Sequence, residues 1–287
     1  GGIGSRGSSG GANLDNFKIH KIIDELIYET FGKYDKFEHK VYIKDNYVQL
    51  YNLCRLTCTK MDDEDAVKSL INDYNLFMDY SGNDFTCPLI GTILIWLEQI
   101  DERSMNEFEK YNTIDFSDML YITYKKLSKG IWEIPYYNYY TNIYIDEAQD
   151  LSTIQLFLLK FIKRKGGRYV FVLDENQAIY SFAGGNAKSC ALIPKLYAPV
   201  KEFDLPVNYR CPQSHLRKVN KEFNIPIKPR PDAPEGTIKV IDKMDIKKYV
   251  HAGDMVISRK NKWLSDVILD LAIHGIPVYM EDKEMVD

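Results

Sequence analysis

The sequence predicts an α/β protein in which a helical region precedes a parallel sheet. The chain has 287 residues, 45% of them hydrophobic, which suffices for one large or two modest domains. Residues 17–110 carry apolar side chains at intervals of three and four, the period of an amphipathic helix. Residues 143–174 instead contain two short apolar runs that end in acids, with an amphipathic segment between them. That order of strand, helix and strand is typical of a parallel sheet covered on both faces.

Composition and charge narrow the class of protein. The formal net charge of -4 argues against a uniformly basic nucleic-acid binder, although a local basic groove is compatible with it. The five cysteines form no C-x-x-C pair, which favours reduced thiols over disulfides or a zinc site. The longest apolar stretch, residues 88–100, is too short to span a bilayer. We therefore expect a cytoplasmic protein with no membrane contact.

The first segment, residues 1–13, is nearly all glycine and serine, the composition of a flexible linker or an artificial remnant. Gly2 and Gly7 have the G-x-x-x-x-G spacing of a phosphate-binding loop. Ser8 follows where that loop requires lysine, and no apolar strand precedes the segment. We interpret the match as chance.

Residues 14–110 are predicted to form a helical subdomain. Four segments have the helical pattern: "FKIHKIIDELIYETF", "YVQLYNLCRLTC", "DDEDAVKSLINDYNLF" and "CPLIGTILIWLEQID". The histidines of this region, His20 and His39, are isolated, so nothing here indicates catalysis.

Acidic residues follow both predicted strands. Residues 143–145 form a short strand, predicted to be buried, that ends in Asp146 and Glu147, and a helix follows over residues 152–165. The next strand, "RYVFVLD", ends at Asp174. The carboxyl ends of parallel strands share one edge, where ligands bind. A nucleoside triphosphate with magnesium needs one carboxylate near the metal and another for the attacking water. A solvated acidic turn with a helix cap explains "DEAQD" equally well.

Four segments in order resemble one family. "IDFSDMLY", "YIDEAQD", "VLDENQAIYSFAGG" and "LPVNYRCP" are similar to an element before motif II, and to motifs II, III and IV, of the UvrD/Rep-type superfamily 1 DNA helicases. The resemblance implies a RecA-like P-loop NTPase sheet with a helical insertion subdomain. Residues 111–212 would then complete the first RecA-like ATPase domain. Residues 213–287, with "DMVISRKNKWLSDVILDLAIHGIPVYM", would begin a second RecA-like domain as strand, helix and strand.

The resemblance also implies roles for the residues at the strand tips. Asp146 matches the acid linked to Mg²⁺, through water in many such sites, and Glu147 matches the general base for the attacking water. Gln177 matches the glutamine that senses the γ-phosphate of ATP, because an amide can donate to phosphate and accept from water. Asp174 would support that turn and the metal site.

Four more residues acquire roles from the same resemblance. Arg210 matches an arginine that reaches the γ-phosphate, and Tyr209 is similar to the aromatic residue that stacks on adenine. Tyr180 and Phe182 match aromatic residues that stack on the bases of single-stranded DNA. Ordinary packing beneath the sheet is the simpler alternative for these two rings.

The sequence also departs from the family pattern. Leu173 replaces a glycine, and Ala183 occupies a position often filled by arginine. The lysine-bearing phosphate loop and the later motifs are missing, so we expect an inactive fragment cut at both ends. The intact protein would be an ATP-dependent DNA helicase or translocase on single-stranded DNA. The alternatives are a non-catalytic nucleic-acid-binding or adaptor module, and a nuclease-helicase polypeptide.

Two further segments admit a binding interpretation and a simpler one. The tyrosine-rich "WEIPYYNYYTNIYI" suits base stacking, but the approach to a strand explains it as well. The basic "FIKRKGGR" suits phosphate contacts, but lysines in the last turn of a helix before glycine explain it as well. The family resemblance implies no DNA contact at either segment.

Overall fold

The computed structural model describes residues 11–32, 37–78, 88–178, 187–258 and 261–280. The chain divides into two units, Gly1–Val200 and Lys201–Asp287. The first unit contains the helices α1 (Lys18–Phe31), α2 (Phe37–Thr57), α3 (Glu64–Asp73), α4 (Ile90–Tyr111), α5 (Phe116–Ser128), α6 (Thr153–Leu159) and α7 (Ala187–Leu196). Its strands are β1 (Asn13–Leu14), β2 (Thr113–Ile114), β3 (Tyr140–Ile145) and β4 (Lys163–Phe171). The second unit contains β5 (Val207–Asn208), α8 (Gln213–Phe223), β6 (Lys228–Pro229) and α9 (Asn261–Ile273).

The four predicted helices of the amino-terminal region are confirmed, and two of them are longer than their apolar patterns. Helix α2 begins ten residues before the predicted segment, since Ile43 and Tyr47 continue its buried face. Helix α4 continues through a polar stretch to Asn112, whose left-handed backbone (φ 53°) ends it. Apolar faces of α1 to α4 form one core. Of the helices that the structure describes, none combines the length and apolarity needed to cross a lipid bilayer.

A buried charged cluster, which the sequence did not predict, lies inside this helical unit. The Asp118 cluster consists of Lys18, Arg55 and Asp118, all buried. Asp118 accepts hydrogen bonds from Lys18 Nζ and, at 2.7 Å, from Arg55 Nη1. Arg55 Nη2 donates to Ser104 Oγ at 3.0 Å, and its guanidinium lies 4.2 Å from the ring centre of Tyr51. Asp118 therefore joins α5 to α1 and α2, and Arg55 extends the connection to α4 through Ser104.

Helix α5 begins with a reciprocal cap. Asp115 Oδ1 accepts from the Asp118 N–H at 2.8 Å, and Asp118 Oδ2 accepts from the Asp115 N–H at 2.8 Å. These reciprocal bonds satisfy backbone donors that the first turn of a helix leaves free. Asp118 thus both caps α5 and holds the two buried cations.

Strands β3 and β4 pair in parallel, as predicted, but the segment between them differs from the prediction. Helix α6 ends at Leu159 instead of residue 165, and the basic "KRKGGR" lies in strand β4. The pairing steps from Tyr140 with Lys163 to Asn142 with Arg168, so β4 bulges between them. Glycine makes this possible. Gly166 has φ 78°, and a Cβ on Gly167 would lie 2.8 Å from the carbonyl oxygen of Thr141.

In the part of the chain that the structure describes, the β3–β4 sheet is covered on one face, which contradicts the prediction of strands buried on both faces. Ile145 and Phe171 pack toward α6 and α7. On the opposite face Tyr144 is 67% exposed, and Val170 and Val172 are exposed as well. Successive residues of a strand point to opposite faces of the sheet. Because consecutive residues of these strands are apolar, the sequence predicted that both faces of the sheet would be buried. The covered face packs against a core of Ala148, Leu156 and Ile193.

The described cysteines are free thiols, in agreement with the prediction. Cys54, Cys58, Cys190 and Cys211 form no disulfide among themselves. Burial disfavours the thiolate and raises the pKa of both Cys54 and Cys58 to about 12. These two thiols therefore stay protonated at neutral pH and are poor nucleophiles.

In the second unit, β5 and β6 form a short parallel pair. The predicted helix within "DMVISRKNKWLSDVILDLAIHGIPVYM" is present as α9. The flanking segments, residues 254–258 and 276–280, form no strand in the structure. The predicted strands on either side of α9 are therefore wrong for these residues.

Candidate nucleotide-binding site at the strand tips

The ends of β3 and β4 lie side by side, as the sequence predicts. The Val172 N–H donates to the Ile145 carbonyl at 2.8 Å, and the Ala148 N–H donates to the Val172 carbonyl at 2.9 Å. These bonds continue the ladder beyond both strands. Asp146 and Glu147 on one tip and Asp174 on the other therefore share one edge of the sheet.

A buried glutamine connects the two tips. Gln149 is 1% exposed, its Nε2 donates to Glu147 Oε2 at 2.6 Å, and its Oε1 accepts from the Asp174 N–H at 3.1 Å. A carboxamide suits this position because it donates and accepts at once. Sequence reasoning missed Gln149 as a site residue. The available signal was an uncharged polar residue within "DEAQD", flanked by acids, directly after an apolar strand.

The backbone at Glu147 is left-handed, with φ 50° and ψ 42°, which is uncommon for a residue other than glycine. Local hydrogen bonds hold it. The Glu147 N–H donates to Asp146 Oδ1 at 3.1 Å, and the Asp150 N–H donates to the Glu147 carbonyl at 3.0 Å. Asp146 and Glu147 are both exposed. The turn therefore presents two adjacent acids at the edge of the sheet.

Asp174 organises the turn that contains Gln177. Its Oδ1 accepts from the Asn176 N–H at 3.0 Å, and its Oδ2 accepts from Gln177 Nε2 at 2.7 Å. Gln177 thus lies on the same edge as Glu147, connected through Asp174 and Gln149. Tyr180 and Phe182 lie outside the described residues, so their predicted stacking on bases stays a prediction.

Arg210 and Tyr209 belong to the second unit and are described within it. The side chain of Asn208 accepts from the N–H groups of Arg210 at 2.9 Å and Cys211 at 2.7 Å, which fixes a tight turn after β5. The side chains of Arg210 and Tyr209 are both exposed. Their predicted contacts with nucleotide stay predictions.

The strand-tip residues fit a magnesium ion bound together with a phosphate. Across the described ranges, no group of three or more His, Cys, Asp and Glu side chains forms a metal cage. Mg²⁺ commonly takes one or two protein carboxylates and completes its shell with water and phosphate oxygens. Asp146 can supply such a carboxylate, and the adjacent Glu147 carboxylate is exposed beside it.

We expect Gln149→Ala to lower the free energy of unfolding by about 1–3 kcal/mol, because the variant leaves the Asp174 N–H without its acceptor and opens a small cavity. Gln177→Ala is the matched control, since that amide also bonds Asp174 but is exposed. Urea denaturation should show less than about 0.5 kcal/mol for the control. Equal effects of the two variants would contradict a bridging role.

Comparison with known families decides the relationship. The model of the UvrD/REP helicase N-terminal domain matches residues 13–197. The chain belongs to the UvrD/Rep helicase family. The match includes "DEAQD" and "DENQ", so Asp146, Glu147, Asp174 and Gln177 lie inside the shared domain. Arg210 and Tyr209 lie beyond it.

Relatives within the family agree with this assignment. The chain is 28% identical over 159 residues to the ATP-dependent DNA helicase Rep of Buchnera aphidicola subsp. Acyrthosiphon pisum, covering 53% of this chain and 24% of the relative. It is 30% identical over 234 residues to a probable DNA helicase II homolog of Mycoplasma genitalium, covering 71% of this chain and 33% of the relative. The chain therefore spans about a quarter to a third of these UvrD/Rep relatives.

Proposed function

We propose that this chain is part of an ATP-dependent DNA helicase or translocase that moves on single-stranded DNA in the cytoplasm. The observation that carries the proposal is the hydrogen-bonded path from Glu147 through Gln149 to Asp174. It joins the acids of one strand tip to the turn that holds Gln177. Such a path suits a site in which the metal, the attacking water and the γ-phosphate must be aligned.

Asp146 would hold Mg²⁺, and Glu147 would accept the proton of the attacking water. Bound magnesium would neutralise the charge that develops on the phosphates. Gln149 keeps the Glu147 carboxylate in one orientation, since its Nε2 donates to one oxygen and leaves the other for water. Asp174 holds the Gln177 amide in the same way at 2.7 Å. Gln177 would then sense the γ-phosphate.

The remaining roles complete the proposal. Residues 111–212 would belong to a first RecA-like domain with residues 14–110 as its helical insertion, and residues 213–287 would begin a second one. Arg210 would reach the γ-phosphate, and Tyr209 would stack on adenine. Tyr180 and Phe182 would stack on DNA bases, so one loop after Gln177 would link nucleotide state to DNA binding.

A phosphate loop is the component that these residues do not supply. The sequence contains no G-x-x-x-x-G-K-[ST], and Ser8 stands where the lysine would follow Gly7. The lysine and the loop N–H groups bind the β- and γ-phosphates in such enzymes. We infer that the chain alone does not turn over ATP and needs that loop to do so.

ATP hydrolysis by the 287-residue chain, with and without oligo-dT, tests this inference. We expect no turnover in either condition. Joining a G-x-x-x-x-G-K-[ST] segment to the amino-terminal end of the chain should then give hydrolysis that DNA stimulates. DNA binding without hydrolysis in the joined protein would instead favour the adaptor function. DNA-stimulated turnover by the chain alone would refute the need for the lysine.

A further inference from the structure

A basic and aromatic surface lies where β3 and the bulged part of β4 begin, opposite to the strand tips. The β3–β4 patch consists of Tyr136, Tyr137, Arg164, Lys165 and Arg168. Tyr136 is 82% and Tyr137 67% exposed, and the three basic residues are exposed as well. Neither the nucleotide chemistry nor the helical core uses any of these side chains.

The bulge in β4 brings the two parts of the patch together. Lys163 pairs with Tyr140 and Arg168 pairs with Asn142, so the basic segment runs beside the tyrosine-rich one. Arg164 Nε donates to the Tyr139 carbonyl at 2.9 Å, in the residue that follows the turn Tyr136–Asn138. This bond attaches the basic bulge to the segment that carries the exposed rings.

Both arginines are held by a single nitrogen. Arg168 Nε donates to Asn142 Oδ1 at 2.8 Å, and Arg164 likewise uses Nε. The two terminal nitrogens of each guanidinium lie outside these bonds. A guanidinium oriented through Nε can present its terminal N–H groups to a phosphate in bidentate geometry.

The local charge is opposite to that of the whole chain. Residues 151–173 contain five basic residues, Lys160, Lys163, Arg164, Lys165 and Arg168, and no aspartate or glutamate, whereas the chain carries a formal charge of -4. A local positive surface on an acidic protein favours a polyanion over a generally acidic partner surface. The presence of exposed aromatic rings in the segment that runs beside these cations further favours a polyanion that carries bases.

The two exposed rings suit stacking on unpaired bases. Tyr136 and Tyr137 contact each other edge to face, with 5.7 Å between ring centres. Their exposure leaves ring surface in water, where bases can cover it. Duplex DNA hides its base faces, so exposed rings beside cations are typical of single-strand binding.

We propose that the β3–β4 patch binds single-stranded DNA, with Tyr136 and Tyr137 stacking on bases and Arg164, Lys165 and Arg168 contacting phosphates. This site lies at the end of the sheet opposite to Asp146 and Asp174. It consists of residues other than Tyr180 and Phe182, the pair predicted to stack on bases. The chain would therefore contact a strand at a second place that does not depend on ATP.

Fluorescence anisotropy with labelled oligo-dT, in the absence of nucleotide, tests the site. All measurements use a background protein that carries Tyr180→Ala and Phe182→Ala, so that the binding measured comes from sites other than these two residues. In that background, Tyr136→Ala with Tyr137→Ala should weaken binding about fivefold or more for each ring that stacks on a base. Tyr28→Ala with Tyr111→Ala, two exposed tyrosines on α1 and α4, is the matched control and should bind as the background does.

The salt dependence of oligo-dT binding tests the side chains proposed to contact phosphates. Arg164→Ala with Lys165→Ala should reduce the slope of log affinity against log salt concentration by about 0.7 for each phosphate that the variant no longer neutralises. Circular dichroism should show that each variant has the same fold as the background protein, since Tyr136, Tyr137, Arg164 and Lys165 are all exposed.

Three results of the tyrosine experiment would overturn the proposal. They are the absence of oligo-dT binding in the background protein, unchanged binding after the tyrosine substitutions, and equal losses in the control. Weakening by the basic substitutions alone would also overturn it, because it would indicate charge without stacking. If only Tyr180 and Phe182 affect binding, the proposed helicase function survives and the second site fails.

Discussion

Asp118→Ala should lower the free energy of unfolding of the first unit by about 3–5 kcal/mol, because it leaves Lys18 and Arg55 buried without their shared counter-charge. Burial, the strongest influence, lowers the pKa of Arg55, but Tyr51, Asp118, Asp115 and Asp101 together outweigh it and raise that pKa. The guanidinium therefore keeps its charge inside the protein. The same substitution removes one half of the reciprocal cap of α5, because the Asp115 N–H loses its side-chain acceptor.

Urea denaturation followed by circular dichroism measures this effect. Lys68→Ala is the control, because Lys68 and Glu64 form a pair on the surface of α3, where a partner is worth little. We expect it to change stability by less than about 0.5 kcal/mol. Asp118→Asn keeps the size of the side chain and should also destabilise, which separates charge from packing. A loss below about 1 kcal/mol in Asp118→Ala would show that the cluster is not essential to the stability of the fold.

Glu147→Gln should lower kcat for ATP hydrolysis by about 10²–10⁴-fold in the protein that joins this chain to a phosphate loop. A glutamine there cannot accept the proton of water, although its Oε1 can still accept from Gln149 Nε2. The turn should therefore keep its geometry, and DNA affinity should stay unchanged. Such a split between turnover and binding is what loss of a general base predicts.

Steady-state turnover and oligo-dT binding on the same samples measure the split. Glu175→Gln is the matched control, because Glu175 is an exposed acid in the turn after Asp174. It should leave kcat within about twofold of the parent. Parental turnover in Glu147→Gln would assign the base to another residue and remove the main support for the proposed mechanism.

The sequence predicted the parts of the fold that depend on local pattern. Apolar spacing located the helices of the amino-terminal region, and the apolar runs before Asp146 and Asp174 located the tips of two neighbouring parallel strands. Acids at both strand tips and the order of the motifs pointed to the family that residues 13–197 match. These features are predicted correctly because the period of a helix or strand can be recognised in a run of consecutive residues.

Local pattern failed where the outcome depends on distant residues. The basic "KRKGGR" has the composition of a helix end, yet it pairs with the segment before Asn142 and becomes part of β4. Consecutive apolar residues in β3 predicted that both faces of the sheet would be buried, whereas the Tyr144 side chain is exposed. The pattern of residues within one strand does not show which face of the sheet another part of the chain will cover.

By itself, the sequence determined the helical region, the adjoining strand tips with Asp146, Glu147 and Asp174, and the family. Only the tertiary structure decided that Gln149 bridges those tips, that Lys18 and Arg55 share Asp118, and that cations and tyrosines meet at the β3–β4 patch. The physical reason is the separation along the sequence of the residues that interact. Periodicity and capping act within a few residues, whereas burial of a charge, a bridging amide and strand register join residues tens of positions apart.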